Sequence, residues 1–119
     1  MKQRLRFPKS RRLVRDVEFR RVREEGKSLR GETLTLAFLK YGNAAPARAG
    51  FITSRRVGSA VVRNRTRRRL REIFRKHQPE LGTGIWIVTI ASPRAARVSF
   101  AQLQEEWLRL AKRASILRP

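Results

Sequence analysis

Apolar and polar residues alternate along residues 33–40, so that Leu34, Leu36 and Phe38 share one side of the chain. A period of two residues is the pattern of a strand that buries one face and leaves the other accessible. We therefore predict a half-buried β-strand over these residues.

Two further segments are predicted to be strands. Residues 48–55 follow the loop 41–47, and we predict that they return as the second arm of an antiparallel hairpin. The sequence IWIVTIA at residues 85–91 is apolar on both faces, which is typical of a strand covered on both sides and often paired in parallel. We also expect a short extra strand near Val57.

The apolar spacing elsewhere is helical. Asp16 is suited to the start of a short helix that carries Phe19 and Val22 and ends at Gly26. Ser99 and Gln102 form an S-x-x-Q capping box at the start of a last helix. Its apolar residues lie on one stripe, which comprises Phe100, Leu103, Trp107, Leu110 and Ala114.

A third predicted helix begins after Ser59, runs to about Lys76, and ends before Pro79 and Gly82. At about 100° per residue its apolar positions form one arc, made of Val62, Thr66, Leu70, Ile73, Phe74 and His77. The order α-β-β-α-β-α predicts an α+β fold, a two-layer sandwich of three helices on a mixed sheet of about four strands. With 119 residues, the chain is expected to form one domain.

The charge of the chain is extreme. Lys and Arg number 30 against 9 acidic residues, a net charge of +21, and most of the cations are Arg. Repulsion among so many positive charges indicates a polyanionic partner. The planar guanidinium of Arg binds phosphate groups with two hydrogen bonds, so the excess of Arg favours specific phosphate contacts over non-specific charge attraction. The first 12 residues are basic and without periodicity, so we predict a mobile arm there.

Several classes of protein are disfavoured by what the sequence lacks. It contains no cysteine, hence no disulfide framework and no thiolate zinc finger. The apolar run at residues 85–91 is too short to cross a bilayer, and the basic N-terminus leads into no signal core. We therefore expect a soluble cytoplasmic protein with no membrane partner.

The polar side of the central helix carries Arg63, Arg67, Arg71 and Arg75 at i,i+4 spacing, with Glu72 as the lone acid. A merely solvated helix face normally mixes signs, because like charges at this spacing repel. The pattern favours phosphate binding over a solvated face. Arg55 and Arg56 precede the start of this helix, where free N–H groups attract anions. An ordinary strand-to-helix turn at Gly58 would also fit that segment.

The sequence offers little for catalysis. His77 is the only histidine and falls on the apolar arc, and the acidic pairs are adjacent in sequence, so they diverge on a helix. We predict no catalytic or metal-binding residue, and we interpret Trp86 and Trp107 as core residues. The composition is also compatible with a ribosomal or other RNA-scaffold protein. A stand-alone nuclease is disfavoured because the sequence offers no catalytic site, and a membrane-surface helix is disfavoured because interfacial aromatic residues are lacking.

The segment RNRTRRRLRE at residues 63–72 resembles the RNR motif of the bacterial ribonuclease P protein component, R-N-R-x-K-R-x-x-R. RLVRDVEFRRVREEGK (12–27) is similar to that family's first helix, and RAGFITSRRVGSAVVRNR (48–65) to its strand and RNR helix. The resemblance implies a sandwich with a left-handed β-α-β crossover. It also implies an accessory subunit whose partner RNA is the catalyst, which uses Mg²⁺ to remove the 5′ leader of precursor tRNA.

The resemblance and the charge pattern together predict two sets of site residues. The RNA-binding set comprises Arg55, Arg56, Arg63, Asn64, Arg65, Arg67, Arg68, Arg71 and Arg75. The leader-cleft set, between the first helix and the sheet, comprises Arg12, Phe19, Arg23, Phe51 and Thr53. Arg67 stands where the motif has Lys, and Arg23 where members often have a second aromatic. The implied partners are ribonuclease P RNA and precursor tRNA, with no cofactor on the protein and no obligate protein partner.

Overall fold

The computed structural model describes residues 12–13 and 16–118, so the predicted arm lies outside the described residues except for Arg12. The chain forms three helices and four strands. In order they are α1 (Asp16–Glu25), β1 (Lys27–Arg30), β2 (Leu34–Lys40), β3 (Arg48–Thr53), α2 (Ala60–His77), β4 (Ile85–Ala91) and α3 (Phe100–Arg113). The predicted α+β class, with three helices and a mixed four-stranded sheet, is confirmed.

The four strands form one sheet in the order β1-β2-β4-β3. β4 pairs with β2 in antiparallel and with β3 in parallel orientation, and α2 connects the two parallel strands. The predicted β2–β3 hairpin is wrong, because β4 lies between these strands. A strand that is apolar on both faces is most stable in the middle of a sheet, where both its edges and its faces are covered.

One strand was not predicted, and one predicted strand is wrong. Residues 27–30 form a short antiparallel edge strand that the polar sequence KSLR did not reveal. The segment Arg55–Val57 is a 3₁₀ turn rather than an extra strand, and it buries Val57 in the core.

The helices lie on both faces of the sheet. α2 and α3 pack against the face that carries Leu36, Phe38 and Ile87, and together they form the main core. α1 crosses the opposite face, where Val22 is buried with Ala37 and Val88 in a smaller cluster. Alternation along β2 and β4 sends neighbouring residues to the two different cores.

The apolar arc predicted for α2 faces the core, and its two end members, Val62 and His77, are only half-buried. Thr66, Leu70, Ile73 and Phe74 are all buried against the sheet and α3. Ser59 accepts a hydrogen bond from the Val62 N–H (3.3 Å) and caps the helix as predicted. The burial of this arc turns the opposite, arginine-rich side of α2 outward.

The capping box at Ser99 and Gln102 is confirmed, and α3 buries Trp107, whose Nε1 donates to Thr89 Oγ1 at 3.1 Å. The interpretation of Trp86 as a core residue is wrong. The Trp86 ring is half-buried on the α1 face. Its centroid lies 4.7 Å from the centroid of the Tyr41 ring and 5.2 Å from the Arg48 guanidinium carbon.

Candidate nucleic-acid interface

Arg67 on the outer side of α2 makes two side-chain hydrogen bonds, one of them to the sheet. Its Nη2 donates to Thr53 Oγ1 at 2.7 Å, and its Nη1 donates to Asn64 Oδ1 at 3.3 Å. The hydroxyl acceptor comes from the end of β3, so the guanidinium is held between the strand and the helix. A guanidinium held in this way loses less side-chain entropy when it binds an anion.

Arg71 lies one turn further along α2, in a strongly positive environment. Partial burial lowers its pKa most, and Coulomb repulsion from Arg12, Arg67 and Arg68 lowers it further. Among residues 16–118, neither Arg68 nor Arg71 has an ion-pair partner. An anion at this position would relieve the repulsion, which makes the cluster a candidate phosphate site.

Other arginines of the predicted RNA-binding set have internal acceptors. Arg63 Nη1 donates to the Gly58 carbonyl at 3.3 Å. Arg75 is hydrogen-bonded to Glu72, and this bond raises the pKa of Arg75. Arg65, in contrast, is exposed. The set therefore surrounds more than one side of α2, and its members are not equivalent.

Arg55 and Arg56 lie in the exposed 3₁₀ turn that connects β3 to α2. Gly58 follows them with φ of 151°, a conformation that favours glycine, and a Cβ there would meet the side chain of Val62 at 2.9 Å. The turn brings both arginines to the same end of the sheet as the first turn of α2. Both arginines are thus exposed just before α2, and their role in RNA binding stays a prediction.

An open groove of about 730 Å³ lies on the other side of β3, beside α1. It is lined by Asp16, Phe19, Arg20, Arg23, Glu24, Phe51 and Ile52. Phe19, Arg23 and Phe51 of the predicted leader cleft therefore come together. Arg20 and Ile52 were missed: helical spacing from Arg23 could have found Arg20, whereas Ile52 lies on the strand face opposite to Phe51, so alternation from Phe51 gave no signal for it.

Phe19 lies flat against the backbone of β3. A Cβ placed on Gly50 would come within 2.5 Å of the Phe19 ring, so only glycine allows this contact. The Phe19 side chain is half-buried, and the accessible part of its ring faces the groove. The arrangement offers an aromatic surface next to the two arginines of α1, Arg20 and Arg23.

Thr53 and Arg12 are not in the groove lining. The Thr53 hydroxyl lies on the α2 face, where it accepts from Arg67. The main chain of Arg12 forms a parallel bridge to Ala49 at the outer edge of β3. Both residues therefore lie away from the groove, since Thr53 faces α2 and Arg12 is bridged to the outer edge of β3.

Within the part of the chain that the structure describes, no group of three or more His, Cys, Asp or Glu side chains could hold a metal ion. In the same residues, no helix is long and apolar enough to span a bilayer. His77 packs near Trp107, with Nδ1 hydrogen-bonded to Glu80 and Nε2 3.1 Å from Gln104 Oε1.

Comparisons with known proteins identify a family and relatives for this chain. The family model described as Ribonuclease P matches residues 7–115. The chain is 44% identical over 107 residues to the ribonuclease P protein component of Chloroflexus aggregans, covering 89% of this chain and 78% of that protein. It is 36% identical over 110 residues to the component of Symbiobacterium thermophilum, covering 92% and 96%.

Solved structures give the same result. The RNase P protein from Thermotoga maritima superposes with a TM-score of 0.77 at 35% identity, over 86% of this chain and 96% of that one. The Staphylococcus aureus RNase P protein superposes with a TM-score of 0.84 over 92% and 100%, and at 24% identity it shows the fold alone. The family match and the identities to these relatives show that this chain belongs to the ribonuclease P protein family.

Proposed function

We propose that this protein acts in the cytoplasm as the RNA-binding subunit of ribonuclease P. It binds the RNA subunit through the arginines of α2 and the turn at Arg55–Val57, and it holds the 5′ leader of precursor tRNA in the groove beside α1. The RNA subunit carries the catalytic groups and uses Mg²⁺ to cleave the leader. The protein contributes affinity and orientation.

The observation that carries this proposal is the like-charged cluster of Arg67, Arg68 and Arg71 in a chain of this family. Like charges at i,i+4 on a helix are unfavourable in the free protein, and desolvation together with the neighbouring arginines lowers the pKa of Arg71. RNA phosphates would neutralise these charges and release condensed counterions, which favours binding.

The groove supports the second half of the proposal. Single-stranded RNA is recognised by stacking on aromatic side chains and by cations along the backbone. Phe19 provides such a ring, and Arg20 and Arg23 provide the cations. Asp16 and Glu24 also line the groove, so its charge is mixed, and we expect base contacts to matter more there than on α2.

Reconstitution tests the proposal directly. The protein is combined with a bacterial ribonuclease P RNA at a Mg²⁺ concentration too low for the RNA alone, and cleavage of precursor tRNA is measured. We expect 5′ maturation only when both components are present. Cleavage by the protein alone would identify a stand-alone nuclease, and no cleavage in the mixture would contradict the proposed function.

A further inference from the structure

The backbone of Arg12 is attached to the outer edge of β3. Arg12 and Ala49 form a parallel bridge, and the Leu13 N–H donates to the Ala49 carbonyl at 2.9 Å. The Arg48 Nη2 donates to the Arg12 carbonyl at 2.7 Å. Residues 12–13 thus extend the sheet beyond β3, and these contacts involve only the main chain of Arg12.

The side chain of Arg12 takes the α2 side of the sheet. Bridged residues on neighbouring strands direct their side chains to the same face, and Ala49 is buried in the core under α2 and α3. The next residue, Leu13, is buried with Val22 in the cluster under α1. Alternation at Leu13 therefore places Arg12 on the face opposite to the groove.

On that face Arg12 meets the arginines of α2. Its charge is close enough to Arg71 to disfavour the protonated form of Arg71, as do Arg67 and Arg68. Thr53 at the end of β3 orients Arg67 toward the same region. Four guanidinium groups from two separate segments, the strand extension and the helix, thus converge beside β3.

The cluster also adjoins the groove. Phe51 lines the groove, and its ring packs edge-on against Phe74 of α2 at 6.3 Å between centroids. β3 is the last of the four named strands, and its Phe51 therefore contacts both the groove and α2. The position is suited to the backbone of an RNA strand that contacts both surfaces.

We infer that Arg12, Arg67, Arg68 and Arg71 form a single phosphate-binding site at the outer edge of β3, which holds a backbone phosphate of bound RNA. Arg12 therefore acts with α2 and not with the groove. The inference rests on the proposed function for the identity of the RNA, whereas the affinity of the site for phosphate is a property of the protein alone. The two can be tested separately.

The first test uses pyrophosphate and the free protein. A ligand that binds only the folded state raises the melting temperature. At matched ionic strength, pyrophosphate should therefore raise the melting temperature of the wild-type protein more than it raises the melting temperature of Arg12→Gln or Arg71→Gln. Arg113→Gln removes the same charge from the end of α3, beside β1 at the opposite sheet edge, and should behave like wild type. An equal rise in Arg12→Gln and Arg113→Gln would overturn the site.

The second test is a double-mutant cycle in the reconstituted holoenzyme. Each single substitution, Arg12→Gln or Arg71→Gln, should weaken RNA binding about tenfold, as expected for loss of one charged hydrogen bond. The fold-loss of RNA affinity in the double variant should be clearly smaller than the product of the two single fold-losses, because both groups bind the same phosphate. When Arg12→Gln is combined with Arg113→Gln, the fold-loss of RNA affinity should equal the product of the two single fold-losses.

Additive losses of Arg12 and Arg71 would overturn the shared site even if RNA binding persists. If pyrophosphate stabilises the protein as expected but no holoenzyme forms, the site stands and the proposed function fails. The substitutions leave the backbone bridge at Arg12 intact, since that contact uses no side-chain atom.

Discussion

At the scale of single residues, the arginines of α2 differ in how far they are held in place. Arg67 has two side-chain acceptors, one of them on β3, whereas Arg68 is exposed without an ion-pair partner among residues 16–118. Equal charge therefore does not imply an equal contribution to binding. The difference can be measured by substitution.

We expect Arg67→Lys to weaken RNA-subunit affinity more than Arg68→Lys does, by about 1 kcal/mol, because lysine keeps the charge but loses the planar fork that bonds Thr53 and Asn64. Binding titrations with ribonuclease P RNA measure the difference, and circular dichroism checks that both variants stay folded. Equal losses in the two variants would mean that Arg67 acts only as a point charge.

We expect Phe19 to contact the 5′ leader of precursor tRNA by stacking on one of its bases. Phe19→Leu keeps apolar contact with the backbone at Gly50 but removes the ring, so precursor affinity should fall by about 1–3 kcal/mol, the range for stacking of one base. The affinity for mature tRNA should not change. Val17→Ala, an exposed position on the same helix, is the matched control.

Titrations with precursors of increasing leader length separate this role from a structural one. A loss of affinity that appears equally in mature tRNA would show that Phe19 only holds α1 against the sheet.

At the scale of elements, α1 depends on polar contacts because its apolar face is thin. Only Val22 of this helix is buried, and Phe19 is half-buried. Arg48 Nη1 donates to Glu18 Oε2 at 2.6 Å, and Arg48 Nη2 donates to the Arg12 carbonyl. The guanidinium also lies over the ring of Trp86. Arg48 thereby links the start of β3 to α1, to β4 and to the strand extension.

Loss of the Glu18 charge should loosen α1 selectively. Glu18→Gln is expected to reduce the protection of α1 amides from hydrogen exchange by about 1–2 kcal/mol, with little change in α2, since the pair is mostly buried. Glu25→Gln removes the exposed partner of Arg21 on the same helix and should have no measurable effect. Equal exchange in the two variants would contradict the role of Arg48.

α3 is attached to the sheet by a buried carboxylate. Glu106 accepts hydrogen bonds from the Thr33 N–H and hydroxyl and from the Leu34 N–H, at 2.6–3.2 Å. These donors stand at the start of β2, so Glu106 satisfies backbone groups that the sheet leaves unpaired there. The sequence showed only a pair of adjacent acids at this point, and which of them would turn inward was decided by the packing of α3.

At the scale of the whole molecule, the net charge of +21 predicts binding dominated by phosphate contacts. If about six phosphates are neutralised, the logarithm of RNA affinity should fall with the logarithm of salt concentration with a slope on the order of −4 to −5. Titrations between low and physiological salt measure this slope. A flat dependence would show that base contacts, and not phosphates, supply the affinity.

Features that depend on residues close together in the chain could be predicted from the sequence. The buried arc of α2, its cap at Ser59, the capping box of α3 and the face of arginines all follow from helical period and neighbouring side chains. The family and most of the candidate RNA-binding residues were therefore accessible from the sequence, because the RNR motif lies within one helix.

The pairing of the strands and the direction of their side chains could not be predicted in this way, because they depend on packing between distant segments. β4 lies between β2 and β3 because a strand that is apolar on both faces is best covered in the centre, and this overrode the hairpin that chain order suggested. In a strand, a shift of one residue exchanges the two faces, so a motif near β3 could not assign Thr53 or Arg12 to the groove or to α2. The placement of these two residues against Arg67 and Arg71 arises from contacts between distant segments, which no local period encodes.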